Sequence, residues 1–246
     1  YNDEIDLDAE IALLVSLDNG TVIFDKNAEK RTAPASLTKI TTAIVAIENC
    51  ADLENTIVTA PYDAIHALDG TGSSLVGIKE GEQISMLNLL YCMMVHSANE
   101  SANIIADYIG GGSIPRFVAL MNSFVQKLGC KNTHFVNANG LPDPNHYTSA
   151  HDMALIMQEC IKNETFCRIE SDLTYTIQPT NMTSTPRDLQ NHHALLFQDG
   201  QWGYKGAFAG KTGYTDEAHN TLVTAAKRGN MTLVCVVLTC DNLDYI

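Results

Sequence analysis

The chain has no uninterrupted apolar stretch near the roughly 18 residues that suggest a membrane span. Nor does it open on a basic segment followed by an apolar one, as a secretory leader does. It is also poor in cations: 15 Lys and Arg stand against 29 Asp and Glu in 246 residues, a formal net charge of −14. No cluster of them forms the basic footprint that neutralises several phosphates, so nucleic acid is not an expected partner. The seven cysteines (Cys50, Cys92, Cys130, Cys160, Cys167, Cys235, Cys240) contain no CxxC pair. That excludes a zinc ribbon and a dense disulfide scaffold, and leaves most of them as small buried hydrophobes. Internal repeats and low-complexity linkers are missing too.

What is there is 45% hydrophobic, enough to bury one sizeable core or two packed lobes. The first residue, Tyr1, suits a processed, exported chain and a trimmed one equally. Ile11–Leu17 and Thr21–Asp25 are strand-like runs around Asp18-Asn19-Gly20, which predicts a β-hairpin. From Ser36 to Glu48, Leu37, Ile40, Ala43, Ile44 and Ile47 recur at spacings of three and four, the mark of a helix opening at or near Ser36. Helical signals continue through Ser85–Val95, Ser101–Tyr108, Ile114–Leu128 and Ser149–Lys162, with a break at Gly110-Gly111-Gly112. Thr174–Ile177, Ala207–Gly213, Thr221–Ala226 and Leu233–Leu238 read as sheet strands. An α+β chain is expected, with the terminal strands in one sheet and a helical lobe inserted between them.

Three short patterns carry chemistry. In Ser36-Leu37-Thr38-Lys39 a helix sets an amine beside a hydroxyl at i and i+3. A lysine of lowered pKa there can deprotonate the serine, and free amides at the helix start favour an oxyanion. Alone the pattern is weak, since about half of one such tetrapeptide is expected by chance in a chain of this length. Ser97-Ala98-Asn99 lies between two helical segments, where short polar side chains point into a cleft or, more simply, cap the next helix. In Gly210-Lys211-Thr212-Gly213-Tyr214-Thr215, glycines flank a cation on a strand, and close approach of a ligand or another backbone explains them better than a sheet-edge turn does.

In this order and context, Ser-x-x-Lys, Ser-x-Asn and Lys-Thr-Gly are the motif set of serine penicillin-binding proteins and serine β-lactamases. Longer blocks extend the likeness over nearly the whole length. They include Asp25–Arg31 leading to Pro34-Ala35-Ser36-Leu37-Thr38-Lys39, then Asn139-Gly140-Leu141-Pro142-Asp143, Tyr147-Thr148-Ser149-Ala150 and Asp152-Met153-Ala154. The chain thus resembles the D-alanyl-D-alanine carboxypeptidases of the low-molecular-mass penicillin-binding proteins.

The resemblance implies a β-lactamase or transpeptidase-like fold: an antiparallel sheet flanked by helices, with a sheet lobe over about 1–60 and 165–246 and a helical lobe over about 61–164. It implies Ser36 as nucleophile, Lys39 as its base and Ser97 as proton relay to the leaving D-alanine. Asn99 would bind the substrate amide; Lys211, Thr212 and Thr215 its carboxylate; the backbone amides of Ser36 and Tyr214 would form the oxyanion hole. The implied substrate is a peptidoglycan stem peptide ending in D-Ala-D-Ala, with β-lactams as covalent inhibitors, no metal or other cofactor, and action outside the cytoplasmic membrane after loss of a signal peptide. Water and a second stem peptide as acyl acceptor would use the same acylation machinery. The family's C-terminal β-rich domain and amphipathic anchor are not in this sequence, and an arginine that relatives place near the substrate carboxylate has no counterpart. Ala218-His219-Asn220 stands where a small residue followed by glycine is expected.

A β-lactamase, a non-catalytic wall-binding domain and a metallopeptidase are the competing readings. Glu159-x-x-x-Asn163 resembles part of a deacylating loop but falls in a helical-period segment, so a solvated helix end is expected. His146, His151, His192 and His193 match no zinc-ligand spacing and are expected in surface loops. The sequons at Asn163, Asn181 and Asn230 matter only in a glycosylating pathway.

Overall fold

A computed structural model describes residues 7–241. Strand β1 (Ile11–Ser16) and β2 (Val22–Lys26) form the expected antiparallel hairpin. Gly20 supplies a φ of 69° in its turn, and Asn19 Oδ1 accepts the Thr21 N–H. A 3-10 turn, Ala35–Leu37, runs directly into α1 (Thr38–Asn49). Every residue from Thr38 to Ala46 is buried, so α1 is the central helix, sheathed on all sides in its first turns.

A ribbon of β3 (Ile57–Thr59) and β4 (Gln83–Ser85) encloses the short α2 (Tyr62–His66). Then come α3 (Met86–Val95), α4 (Asn99–Ile109), α5 (Ile114–Lys127), α6 (Ala150–Cys160) and α7 (Glu164–Ser171). Side chains cap three of these: Ser85 accepts from the Asn88 amide, Ser149 from Asp152 and Asn163 from Phe166. Next are β5 (Thr174–Ile177), β6 (Arg187–Gln190), β7 (Ala207–Thr215), β8 (His219–Arg228) and β9 (Met231–Cys240).

The main sheet is antiparallel in the order β2-β1-β9-β8-β7, so the N-terminal hairpin and the last three strands share it. β5 does not join them. It pairs only with β6, in a separate ribbon, correcting the expectation that Thr174–Ile177 belongs with the other sheet strands. Strand pattern alone cannot choose a partner, and the half-buried Tyr175 is drawn to α3 instead, stacking on Tyr91 at 3.6 Å between ring centroids. Period-two alternation divides β9: Val234, Val236 and Leu238 face the helices, whereas Cys235 and Val237 join a small cluster with Ala9, Leu222 and Cys240 on the opposite face.

The principal core packs Ile40 and Ile44 of α1 with Leu89, Leu90, Phe117, Met121 and Ile156 of the surrounding helices. Each such side chain contributes about 1.5–3 kcal/mol by leaving water. No helix among the described residues is long and apolar enough to cross a membrane. β7 is an edge strand, and it lies against the 3-10 turn that begins α1. A Cβ on Gly213 would fall 2.7 Å from the Ser36 nitrogen and 2.8 Å from Thr221 Oγ1, so only glycine permits this approach.

Candidate active site

Ser36 sits in the 3-10 turn and Lys39 in the first turn of α1, so one continuous helical segment brings them together. Lys39 Nζ lies 2.8 Å from Ser36 Oγ and donates to the Asn139 carbonyl at 2.6 Å. Lys39 is completely buried, and its pKa falls well below the ordinary lysine value. Burial is the main cause, the Lys211 charge adds to it, and Glu100 opposes both. An amine shifted this way is able to take a proton from a neighbouring hydroxyl.

The backbone around this pair is held in an unusual conformation. Ala35, just before Ser36, has φ 49°, in the left-handed region that a side chain makes costly. Gly140 lies over it: a Cβ there would fall 1.9 Å from the Ala35 carbonyl oxygen, and its own φ of 92° also requires glycine. Asn139 fixes the same loop, donating to Asn103 Oδ1 at 3.0 Å and accepting the Leu141 N–H at 2.9 Å.

Ser97 and Asn99 lie at the α3–α4 junction. Neither side chain caps α4, whose N-cap is Ala98 without a side-chain bond, so the simpler capping explanation fails. Ser97 has φ 60°, and its side chain lines the cleft. Asn99 is 6% exposed, its backbone N–H donates to the Ser74 carbonyl at 2.9 Å, and its side-chain oxygen has no partner among the described residues. A buried amide with unused bonding capacity, opening on a cavity, is a ready-made recognition group.

From the other wall, β7 delivers Lys211, buried at 3% exposure, with Nζ donating to the Thr212 carbonyl at 3.0 Å. Burial pushes its pKa down and Glu170 pushes it back up. Two cavities flank Ser36. One of about 450 Å³ is lined by Asn99, Asn139, Tyr214 and Thr215, and one of about 340 Å³ by Ser97, His192, Lys211, Thr212 and Asn220. Ser36, Ser74 and Tyr214 border both. Thr215 thus lines the cavity away from Lys211, and its hydroxyl accepts the Ala218 N–H at 3.1 Å within the β7–β8 turn. Tyr214 exposes its ring, with the hydroxyl donating to Asp216 at 3.2 Å, so its backbone rather than its side chain is held at the cleft.

Two buried carboxylates escape sequence reasoning. Glu100 Oε1 accepts the amides of Val76, Gly77 and Ile78 at 2.7, 2.9 and 3.4 Å, tying the 71–80 connection to α4. Glu170 Oε2 accepts the Gly210 N–H at 3.0 Å. In sequence each looks like an ordinary helix-end glutamate, and only the packing reveals it. His219 replaces the expected glycine at φ 54°, a left-handed backbone, with its ring Nδ1 2.6 Å from an Asp241 carboxylate oxygen.

The histidine expectation needs correction. His146 and His193 are buried, not in surface loops, because threonines inside the fold give each ring a polar partner. His146 Nδ1 accepts the Val136 N–H at 3.0 Å and Nε2 lies 2.8 Å from Thr38 Oγ1. His193 Nε2 lies 2.9 Å from Thr224 Oγ1. Burial lowers their pKa values to about 4 and about 3, with Lys211 adding to the fall at His193. His151 is exposed on one side, and His192 faces the cleft. Among the described residues no group of three His, Cys, Asp or Glu could hold a metal ion. Glu159 is the solvated helix-end residue expected, paired with Lys162 at 2.6 Å and bordering a different cavity from Ser36.

Comparison with known proteins bears on the family and the fold. The family model described as D-alanyl-D-alanine carboxypeptidase matches residues 2–242. D-alanyl-D-alanine carboxypeptidase DacF of Bacillus subtilis is 33% identical over 234 residues, covering 95% of this chain and 58% of its own. DacA of Escherichia coli K12 is 36% identical over 240 residues, covering 94% of this chain and 56% of its own. The chain therefore spans somewhat more than half the length of these curated relatives. The crystal structure of the Streptomyces K15 DD-transpeptidase superimposes with TM-score 0.89 at 28% identity, over 98% of this chain and 93% of that one.

Proposed function

Since the chain belongs to the D-alanyl-D-alanine carboxypeptidase family, we propose that it carries the catalytic machinery of a serine D,D-carboxypeptidase. Its substrate would be a peptidoglycan stem peptide ending in D-Ala-D-Ala, met outside the cytoplasmic membrane. The observation that carries this reading is the 2.8 Å contact between Ser36 Oγ and the buried Lys39 nitrogen. An amine whose protonation is made costly by burial can act as a base, which an exposed lysine at neutral pH cannot.

In this mechanism Lys39 takes the Ser36 proton while Oγ attacks the carbonyl carbon of the penultimate D-alanine. The backbone amides of Ser36 and Tyr214 receive the developing oxyanion, brought close because Gly213 has no Cβ. Asn99, on the wall of the larger cavity, hydrogen-bonds the peptide amide on the acyl side. Lys211 and Thr212 receive the terminal carboxylate in the smaller cavity, which Thr215 does not line. Ser97 relays the proton to the departing nitrogen, so D-alanine leaves as the free amine and an ester remains on Ser36. Water then attacks the ester, Lys39 accepts its proton, and Ser36 is regenerated. A β-lactam enters the same way, its amide bond opening onto Ser36. The residues described require no metal or organic cofactor for these steps.

Release of D-alanine from a diacyl D-Ala-D-Ala peptide tests the proposal. The wild-type chain is expected to release it, and Ser36→Ala is expected to release none above background; equal release by both would sink the assignment.

A further inference from the structure

Both lysines of the cleft are buried, and a buried ammonium needs a counter-charge or hydrogen bonds to persist. Glu170, in the last turn of α7, is 1% exposed, and no step of the reaction above uses it. One of its oxygens accepts the Gly210 N–H at 3.0 Å, and the other has no hydrogen-bond partner among the described residues. Gly210 is itself wedged: a Cβ there would fall 2.5 Å from His193 Nε2 and 2.6 Å from the Val223 carbonyl oxygen. Glu170 therefore grips β7 one residue before Lys211. Among the described residues the Lys211 ammonium has a single hydrogen bond, to the neighbouring Thr212 carbonyl, which carries no full charge.

We propose that Glu170 is a positioning residue for the acylation reaction: through the Gly210 amide it fixes β7, and with its buried charge it keeps Lys211 cationic to receive a substrate carboxylate. This rests on the serine-peptidase reading above. The titratable groups facing Lys211 are Lys39 on α1, Glu170 on α7, and His192 and His193 on the segment after β6. Glu170 is the one carboxylate among them. The histidines are held neutral by burial first and by the Lys211 charge second, and burial with the same Lys211 charge disfavours the charged form of Lys39. Glu170 in turn faces Lys211, Cys160 of α6 and Cys167 of its own helix, both thiols pushed up by burial and so neutral. Burial raises the Glu170 pKa and Lys211 pulls it down, while burial lowers the Lys211 pKa and Glu170 raises it. Each favours the other's charged form, although burial prevails at Glu170, whose pKa rises to about 8.

The test follows the second-order rate of acylation by benzylpenicillin from pH 5.5 to 10 (about the range a lysine of lowered pKa spans) in the wild-type chain and in Glu170→Gln. Glutamine keeps the volume and an acceptor for the Gly210 amide but removes the charge. The alkaline limb of the profile is expected to move down by about one pH unit or more, a loss of about tenfold near pH 9, with little change near pH 6. If Glu170→Gln does not fold, Glu170→Asp and Glu170→Asn repeat the comparison at shorter reach, the first tracking the wild-type limb and the second falling short of it. An equal loss at every pH, or neutral variants that all unfold, would assign Glu170 to bracing alone and overturn the proposal. A wild-type chain that takes up no penicillin at any pH would overturn the serine-peptidase reading, and this inference with it.

Discussion

A lysine works as a base near neutral pH only where its ammonium form is made costly, and the surroundings of Lys39 do this twice over, by burial and by the Lys211 charge. An arginine at this position stays protonated whatever its surroundings. Lys39→Arg is therefore expected to lower the acylation rate by about 10²–10⁴-fold, read as penicillin uptake against time, with the fold kept by circular dichroism. At this scale the sequence is most informative about reactive groups, since Ser36, Lys39, Ser97, Asn99 and Lys211 stand in recognisable triplets. It is least informative about what tunes them. The Asn139 carbonyl beside Lys39 and the Gly140 that covers Ala35 depend on contacts about a hundred residues apart in the chain.

Elements long enough to show a period, such as α1, α5 and β7–β9, are legible from their apolar spacing. The three- and four-residue strands β3, β4 and β6 and the five-residue α2 are too short to show one, and only tertiary pairing creates them. The same holds for the 71–80 connection, which has no regular structure yet borders the larger cavity through Thr71–Ser74. Its anchor is the Glu100 carboxylate, which gathers three backbone amides. Glu100→Ala is expected to cost about 1–3 kcal/mol in urea unfolding, because three backbone donors, that of Ile78 buried and the other two partly so, lose their acceptor, and to raise KM more than it lowers kcat.

For the molecule as a whole, two of its ten lysines converge on one cleft inside a net charge of −14, and the Lys211 charge helps disfavour the charged form of Lys39. The inserted helices and the closing of the sheet by its own terminal strands were legible, whereas the interior histidines were not, because nothing in a sequence marks the threonine that will partner a ring. His146 has consequences for stability. Its folded pKa of about 4 lies below the ordinary value of 6.5, so the unfolded chain binds the proton first. Its contribution is complete above pH 6.5 and is lost as pH falls toward 4. Urea unfolding is expected to show about 1–2 kcal/mol less stability at pH 5 than at pH 7 from this residue, a difference removed in His146→Gln. The buried Glu100 and Glu170, raised by burial, act in the opposite sense, losing stability as pH rises through their folded values, so the variant comparison isolates the histidine.

The most direct test of a nucleophilic Ser36 activated by Lys39 is the intact mass of the protein after mixing with benzylpenicillin. A gain of one whole penicillin, mapped to the peptide containing Ser36 and lost in Ser36→Ala, is the expected result. An unmodified mass, or an adduct that survives in Ser36→Ala, would contradict it.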